Sequence, residues 1–108
     1  MQPTAGDTRN WIAVVGMSGR FPGARDVDQF WDNLVQGRDS ISRLERADLV
    51  RAGIDPGVID RPDYVPASPV LDDIDQFDAA FFGISPREAK ELTPAMRLFL
   101  ECCWEAFE

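Results

Sequence analysis

Phe77-Asp-Ala-Ala-Phe-Phe-Gly-Ile-Ser-Pro-Arg-Glu-Ala-Lys-Glu-Leu-Thr-Pro-Ala-Met-Arg-Leu-Phe-Leu-Glu-Cys-Cys-Trp-Glu-Ala-Phe-Glu108 carries two helix starts in quick succession. Ser85-Pro86-Arg87-Glu88 places a capping serine, a proline at the first helical position and a glutamate at the third, which predicts a short helix over 86–91. Thr93-Pro94 repeats the signal, and Met96, Phe99, Leu100, Cys103, Trp104 and Phe107 then recur at spacings of three and four. That stripe is broad enough for a helix buried on most sides. It runs to Glu108 with no glycine stop, which predicts that the natural domain continues past this point.

Upstream, the short apolar run Trp11 to Val15 closes at Gly16, the pattern of a buried strand followed by a turn. Gly16, Gly19, Pro22 and Gly23 predict an irregular loop that places Phe21 under the fold. Asp26 caps a helix with Gln29 completing a capping-box-like pair, and Gly37 supplies the left-handed stop. Val27, Phe30, Trp31 and Leu34 lie along one face of that helix, which should pack against something large. A shorter helix is expected around Glu45 to Arg51, ended by Gly53. Four prolines between Asp55 and Pro69 argue for an irregular excursion with a brief strand near Val70. Residues 1–10 read as a polar leader, and 11–108 as the folded segment.

The 108 residues are 44 % hydrophobic, with three Trp and seven Phe, enough apolar surface for a core. A formal net charge of −8 argues against nucleic acid as a partner, since affinity for phosphates draws on clustered cations. No apolar run approaches the roughly 20 residues that span a bilayer, and no signal-peptide stretch opens the chain, so the reading is cytoplasmic with no membrane partner.

Motifs that could carry chemistry are outweighed by structural readings. Gly16-Met-Ser-Gly19 follows a predicted strand, but Arg20-Phe21-Pro22 separates it from the next helix, unlike a dinucleotide-binding turn. Asp72, Asp73, Asp75 and Asp78 are hard-cation ligand types, yet the central glycine and distal glutamate of a calcium loop are missing, so a solvated turn beside Phe77 is expected. Cys102 and Cys103 are adjacent on a helix and diverge by about 100°, which rules out a structural disulfide framework. They lie late in that helix between Glu101 and Glu105, where a thiolate is disfavoured, so Cys103 reads as a small core residue. The chain contains no histidine, so it cannot assemble a Ser-His-Asp or Cys-His site by itself. No catalytic, cofactor-binding or metal-ligating residue is assigned.

Several clusters together resemble the opening of a type I modular polyketide synthase β-ketoacyl synthase. They are Gly16-Met17, Arg20-Phe21-Pro22-Gly23, Phe30-Trp31 with Leu34 and Gly37, Phe77-Asp78 with Phe81-Phe82, Ile84 to Ala89, Pro94, Arg97, Leu100-Glu101 and Trp104-Glu105-Ala106. The resemblance runs from about Trp11 to Glu108. One departure is Thr93-Pro94-Ala95-Met96-Arg97, where the family usually carries Asp-Pro-Gln-Gln-Arg.

The resemblance implies an α/β architecture: an incomplete N-terminal segment of the thiolase-like, α-β-α-β-α layered ketosynthase fold, mostly helical here with one or two strands. It implies that the matched positions are scaffold, and that the nucleophilic cysteine and two histidines lie outside them. The implied parent enzyme performs decarboxylative condensation, with an extender unit on the phosphopantetheine of an acyl carrier protein, and is a homodimer. The alternative is a non-catalytic synthase relic acting as an interaction or dimerisation module. A compact globule covering the last helix with the chain's own residues would contradict the fragment reading.

Overall fold

A computed structural model describes residues 10–108. The elements are, in order, α1 (Val27–Val35), β1 (Ile41–Arg43), α2 (Arg46–Arg51), α3 (Pro56–Ile59), β2 (Ala67–Pro69), α4 (Pro86–Glu91) and α5 (Pro94–Phe107). The described residues are mostly helix and irregular backbone with a single two-stranded antiparallel ladder, which pairs Ile41 with Pro69, Ser42 with Ser68 and Arg43 with Ala67.

Local chemistry sets each boundary. The Asp26 carboxylate accepts from the Gln29 backbone N–H at 2.8 Å and starts α1. Gln29 reaches back one residue further than a capping box requires, its side-chain oxygen accepting from the Arg25 N–H at 2.9 Å. At the other end Gly37, at φ +63°, donates to Leu34 and Arg38 donates to Asn33, the paired bonds of a Schellman stop. The same pair closes α2, where Gly53 donates to Val50 and Ile54 to Leu49. The Ser85–Glu88 capping box forms in full at the start of α4, and the Thr93 hydroxyl accepts from the Met96 N–H at the start of α5.

The loop before α1 is a tight turn. Phe21 and Ala24 exchange backbone hydrogen bonds at 2.9 and 3.0 Å across Pro22 and Gly23, with Gly23 at φ +71°. Proline then glycine at the two central positions is the composition such a turn demands. The turn lays the Phe21 ring on Phe30 of α1, with centroids 4.1 Å apart and planes at 17°. The Asn33 side-chain amide donates to the Gly23 carbonyl at 2.9 Å and ties helix to turn.

Two expectations need correction. Trp11 to Val15 forms no strand, and Ile12 and Val15 are 94 % and 96 % exposed. A β-branched run has strand propensity, but a strand exists only where another backbone accepts its ladder, and none of the described residues does so. The proline-rich excursion is also less irregular than expected, since it holds the single turn α3, started by the Asp55 carboxylate accepting from the Gly57 N–H at 2.7 Å. The brief strand expected near Val70 does form, as β2, ending one residue earlier at Pro69. Residues 1–9 of the expected leader lie outside the described residues.

No core of its own forms around α5. Phe99 is 68 % and Phe107 92 % exposed, and only Ala24 and Leu49 are buried apolar residues among those described. The Cα radius of gyration is 19.9 Å, against about 13 Å for a self-contained domain of this size. The compact globule that would contradict the fragment reading is not what this chain forms.

Candidate functional site

The strongest long-range contact joins the glycine-rich loop to the last helix. Arg20 is the one charged residue between Ile12 and Gly23. It sits beside Glu101 and Glu105, which α5 presents on one face because they are four residues apart. The guanidinium grips Glu105 with both terminal nitrogens, Nη1 donating to Oε2 at 2.8 Å and Nη2 to Oε1. The Ser18 hydroxyl donates to the same carboxylate at 2.8 Å, and Glu101 lies 3.9 Å from Arg20. These hydrogen bonds from Arg20, with a smaller one from Ser18, hold the Glu105 carboxyl down at about 2. Reciprocally, the Glu105 hydrogen bond keeps Arg20 above its ordinary range, with lesser electrostatic contributions from Cys102 and Glu101.

Gly16 completes the docking. A Cβ at this position would run into the Ala106 carbonyl oxygen, so the loop backbone approaches α5 as closely as only glycine allows. The sequence pointed to the loop but not to its partner. The available signal was the lone arginine facing an i, i+4 pair of glutamates.

A second contact secures the aromatic segment. Phe77 stacks on Phe82 at 5.3 Å, Phe82 meets Phe81 edge-on at 5.0 Å, and Phe81 meets Trp104 of α5 edge-on at 4.8 Å. Edge-to-face pairs align the positive ring rim with the negative ring face. The loop and the phenylalanine segment thus brace α5 near its C-terminal end.

The candidate chemical groups fall in separate places. Asp78 caps a turn, accepting from the Phe81 N–H at 3.0 Å, while Asp73 adopts φ +54° and faces Arg25 at 3.8 Å across an open cleft of about 450 Å³. Among the described residues no three Cys, Asp or Glu side chains gather around a point that a metal ion could occupy. Cys102 and Cys103 are free thiols, half-buried on α5. The geometry can align and brace a helix, and among the described residues it brings no nucleophile and base together.

The class this defines is a segment of mixed helix and strand whose last helix is held by a docked loop and an aromatic cluster. The chain belongs to the β-ketoacyl synthase family: the family described as "Beta-ketoacyl synthase, N-terminal domain" matches residues 9–108. It is 52 % identical over 99 residues to one subunit of the phenolphthiocerol/phthiocerol polyketide synthase of Mycobacterium tuberculosis, covering 92 % of this chain and 7 % of that protein. Among solved structures it matches ketosynthase twelve of the bacillaene polyketide synthase in Bacillus amyloliquefaciens, with a TM-score of 0.76 and 40 % identity over 87 % of this chain and 17 % of that one. It also matches the module 6 ketosynthase of the Bacillus subtilis 168 bacillaene synthase, with a TM-score of 0.70 and 42 % identity over 88 % and 16 %. The α/β, thiolase-like assignment of the sequence therefore stands, and the chain spans a small part of each relative. Among the described residues no helix is long and apolar enough to cross a membrane.

Proposed function

We propose that these residues are the N-terminal scaffold of a ketosynthase that elongates a polyketide by decarboxylative condensation. Residues 11–108 form the scaffold and 1–10 precede it as a leader. None of the residues is catalytic, and none binds a cofactor or a metal. The complete enzyme takes an extender unit from the phosphopantetheine of an acyl carrier protein, and it acts as a cytoplasmic homodimer.

One observation supports this most. A chain that superposes on ketosynthases at 40 % identity leaves more than half of its described large apolar side chains exposed and only Leu49 of them buried, while keeping specific caps, turns and ion pairs. Uncovered apolar area on that scale fits a piece whose core is completed by a further polypeptide. The test is to express the full reading frame, supply it with an acyl thioester and a malonyl-loaded carrier protein, and follow the condensed product by mass spectrometry. Product from the full protein and none from residues 1–108 is expected. An inactive full protein that still binds a partner synthase would overturn the proposal in favour of an interaction module.

A further inference from the structure

Arg97 stands apart from the other described arginines. Arg20, Arg25, Arg46, Arg51 and Arg61 each face a carboxylate within 4 Å, and Arg38, Arg43 and Arg87, which have no such partner, are exposed to water. Arg97 is half-buried, its Nε is sealed from solvent without a hydrogen-bond partner, and no ion pair among the described residues reaches it. Its natural helical partner would be Glu101, four residues on, but Glu101 turns toward Arg20 instead, at 3.9 Å. An unpaired guanidinium held against protein is uncommon, because desolvated cations normally keep oxygen partners. Here it emerges from an apolar surface, between Met96 and Phe99, which are 56 % and 68 % exposed.

We propose that Arg97 is the polar anchor of the α5 interface, donating to oxygens of the ketosynthase body that lies beyond these 108 residues. This rests on the scaffold reading above. That body is the occupant because the chain accounts for only 17 % of the length of the ketosynthase it superposes on. The remaining length holds what covers α5. A guanidinium fork suits either a carboxylate or two main-chain carbonyls, whose shared chemistry is a pair of oxygens in one plane. Met96 and Phe99 supply the dry rim that would make such a contact strong.

Thermal unfolding of the full ketosynthase with Arg97→Met, Arg97→Lys and Arg97→Gln tests this. Arg97→Met should lower Tm by about 3 °C, independently of protein concentration. With a carboxylate partner, Lys restores more than Gln. With main-chain carbonyls, Lys and Gln restore equally. If Arg97→Met does not fold, Arg97→Lys carries the comparison, with faster amide exchange confined to Pro94–Phe107 as the expected result. A Tm unchanged by Arg97→Met overturns the proposal, as does a loss that vanishes on raising the concentration, which would point to a second copy as the occupant. Condensation by the unsubstituted protein separates the two readings. Its absence defeats the scaffold reading, whereas its presence alongside a silent Arg97→Met defeats the anchor alone.

Discussion

Arg20 and Glu105, separated by 85 positions, form a two-pronged ion pair that fastens the glycine-rich loop to the last helix. Ser18 adds a third hydrogen bond to the same carboxylate. Both side chains retain some solvent access, 24 % for Arg20 and 41 % for Glu105. Screening therefore reduces the energetic weight of the pair well below what a shift to about 2 implies.

The first prediction concerns acid. Glu105 has its folded carboxyl lowered from 4.5 to about 2, so the stability it contributes is complete above pH 4.5 and lost as the pH falls toward 2. In the full ketosynthase, Glu105→Gln should cost about 1 kcal/mol at pH 7. The cost should shrink steadily as the pH drops through that window. Urea midpoints of both proteins across it provide the check, and a difference that does not change with pH would show that the charge is immaterial.

Two glycines should respond differently to alanine. At Gly16 the new Cβ would collide with the Ala106 carbonyl, so loop and helix must separate, at a cost of about 2–3 kcal/mol. At Gly37 nothing lies within 4 Å, and only the left-handed backbone at φ +63° resists, at about 1 kcal/mol. Denaturant unfolding of the full ketosynthase ranks the pair, and equal costs would show that the loop does not dock as closely as described.

The α4 cap offers a local test. Ser85 accepts from the Glu88 N–H while the Glu88 carboxylate accepts from the Ser85 N–H, at 3.3 and 3.0 Å. Ser85→Ala should cost about 1 kcal/mol and speed amide exchange within Pro86–Glu91. Unchanged exchange there would mean that packing alone holds the turn.

Local signals were legible because they are short-range. Asp26, Gly37, Gly53, Ser85 and Thr93 act within four residues of themselves, so the caps and stops of α1, α2, α4 and α5 could be read from spacing. What depended on distant backbone was not legible. The run from Trp11 to Val15 has the composition of a strand, but no backbone among the described residues pairs with it, so it forms none. The Arg20 contact likewise joins residues too far apart for any helical or strand period to connect. At the candidate site, the aspartates were legible as turn residues and the cysteines as helix residues because those signals are local, whereas Cys103, expected in a core, is only half-buried because its covering partner is a matter of distant packing.

Residues 1–108 on their own should not unfold cooperatively. Trp31, Phe99, Trp104 and Phe107 are each more than half exposed, and only Ala24 and Leu49 are buried apolar side chains among the described residues. A chain that shelters so little apolar surface cannot offset the conformational entropy of ordering. Calorimetry should record no sharp transition, with dye binding to exposed apolar surface and self-association at micromolar concentration. A monomer that melts cooperatively would refute this.

The last prediction addresses the thiols. Cys102 and Cys103 sit in the fourteen-residue helix α5, past its midpoint and flanked by Glu101 and Glu105. Both thiols are half-buried on a helix that also carries Glu101 and Glu105, and no base lies beside them among the groups this chain supplies. Arg20, the nearby cation, is already held by Glu105. In the full ketosynthase, Cys102→Ala and Cys103→Ala should therefore keep acyl loading and condensation within about twofold of the unsubstituted enzyme, any loss following reduced stability instead of a changed kcat. Loading measured by intact-protein mass spectrometry decides the matter. Disappearance of the acyl adduct from either variant, with folding intact, would place the reactive thiol on α5.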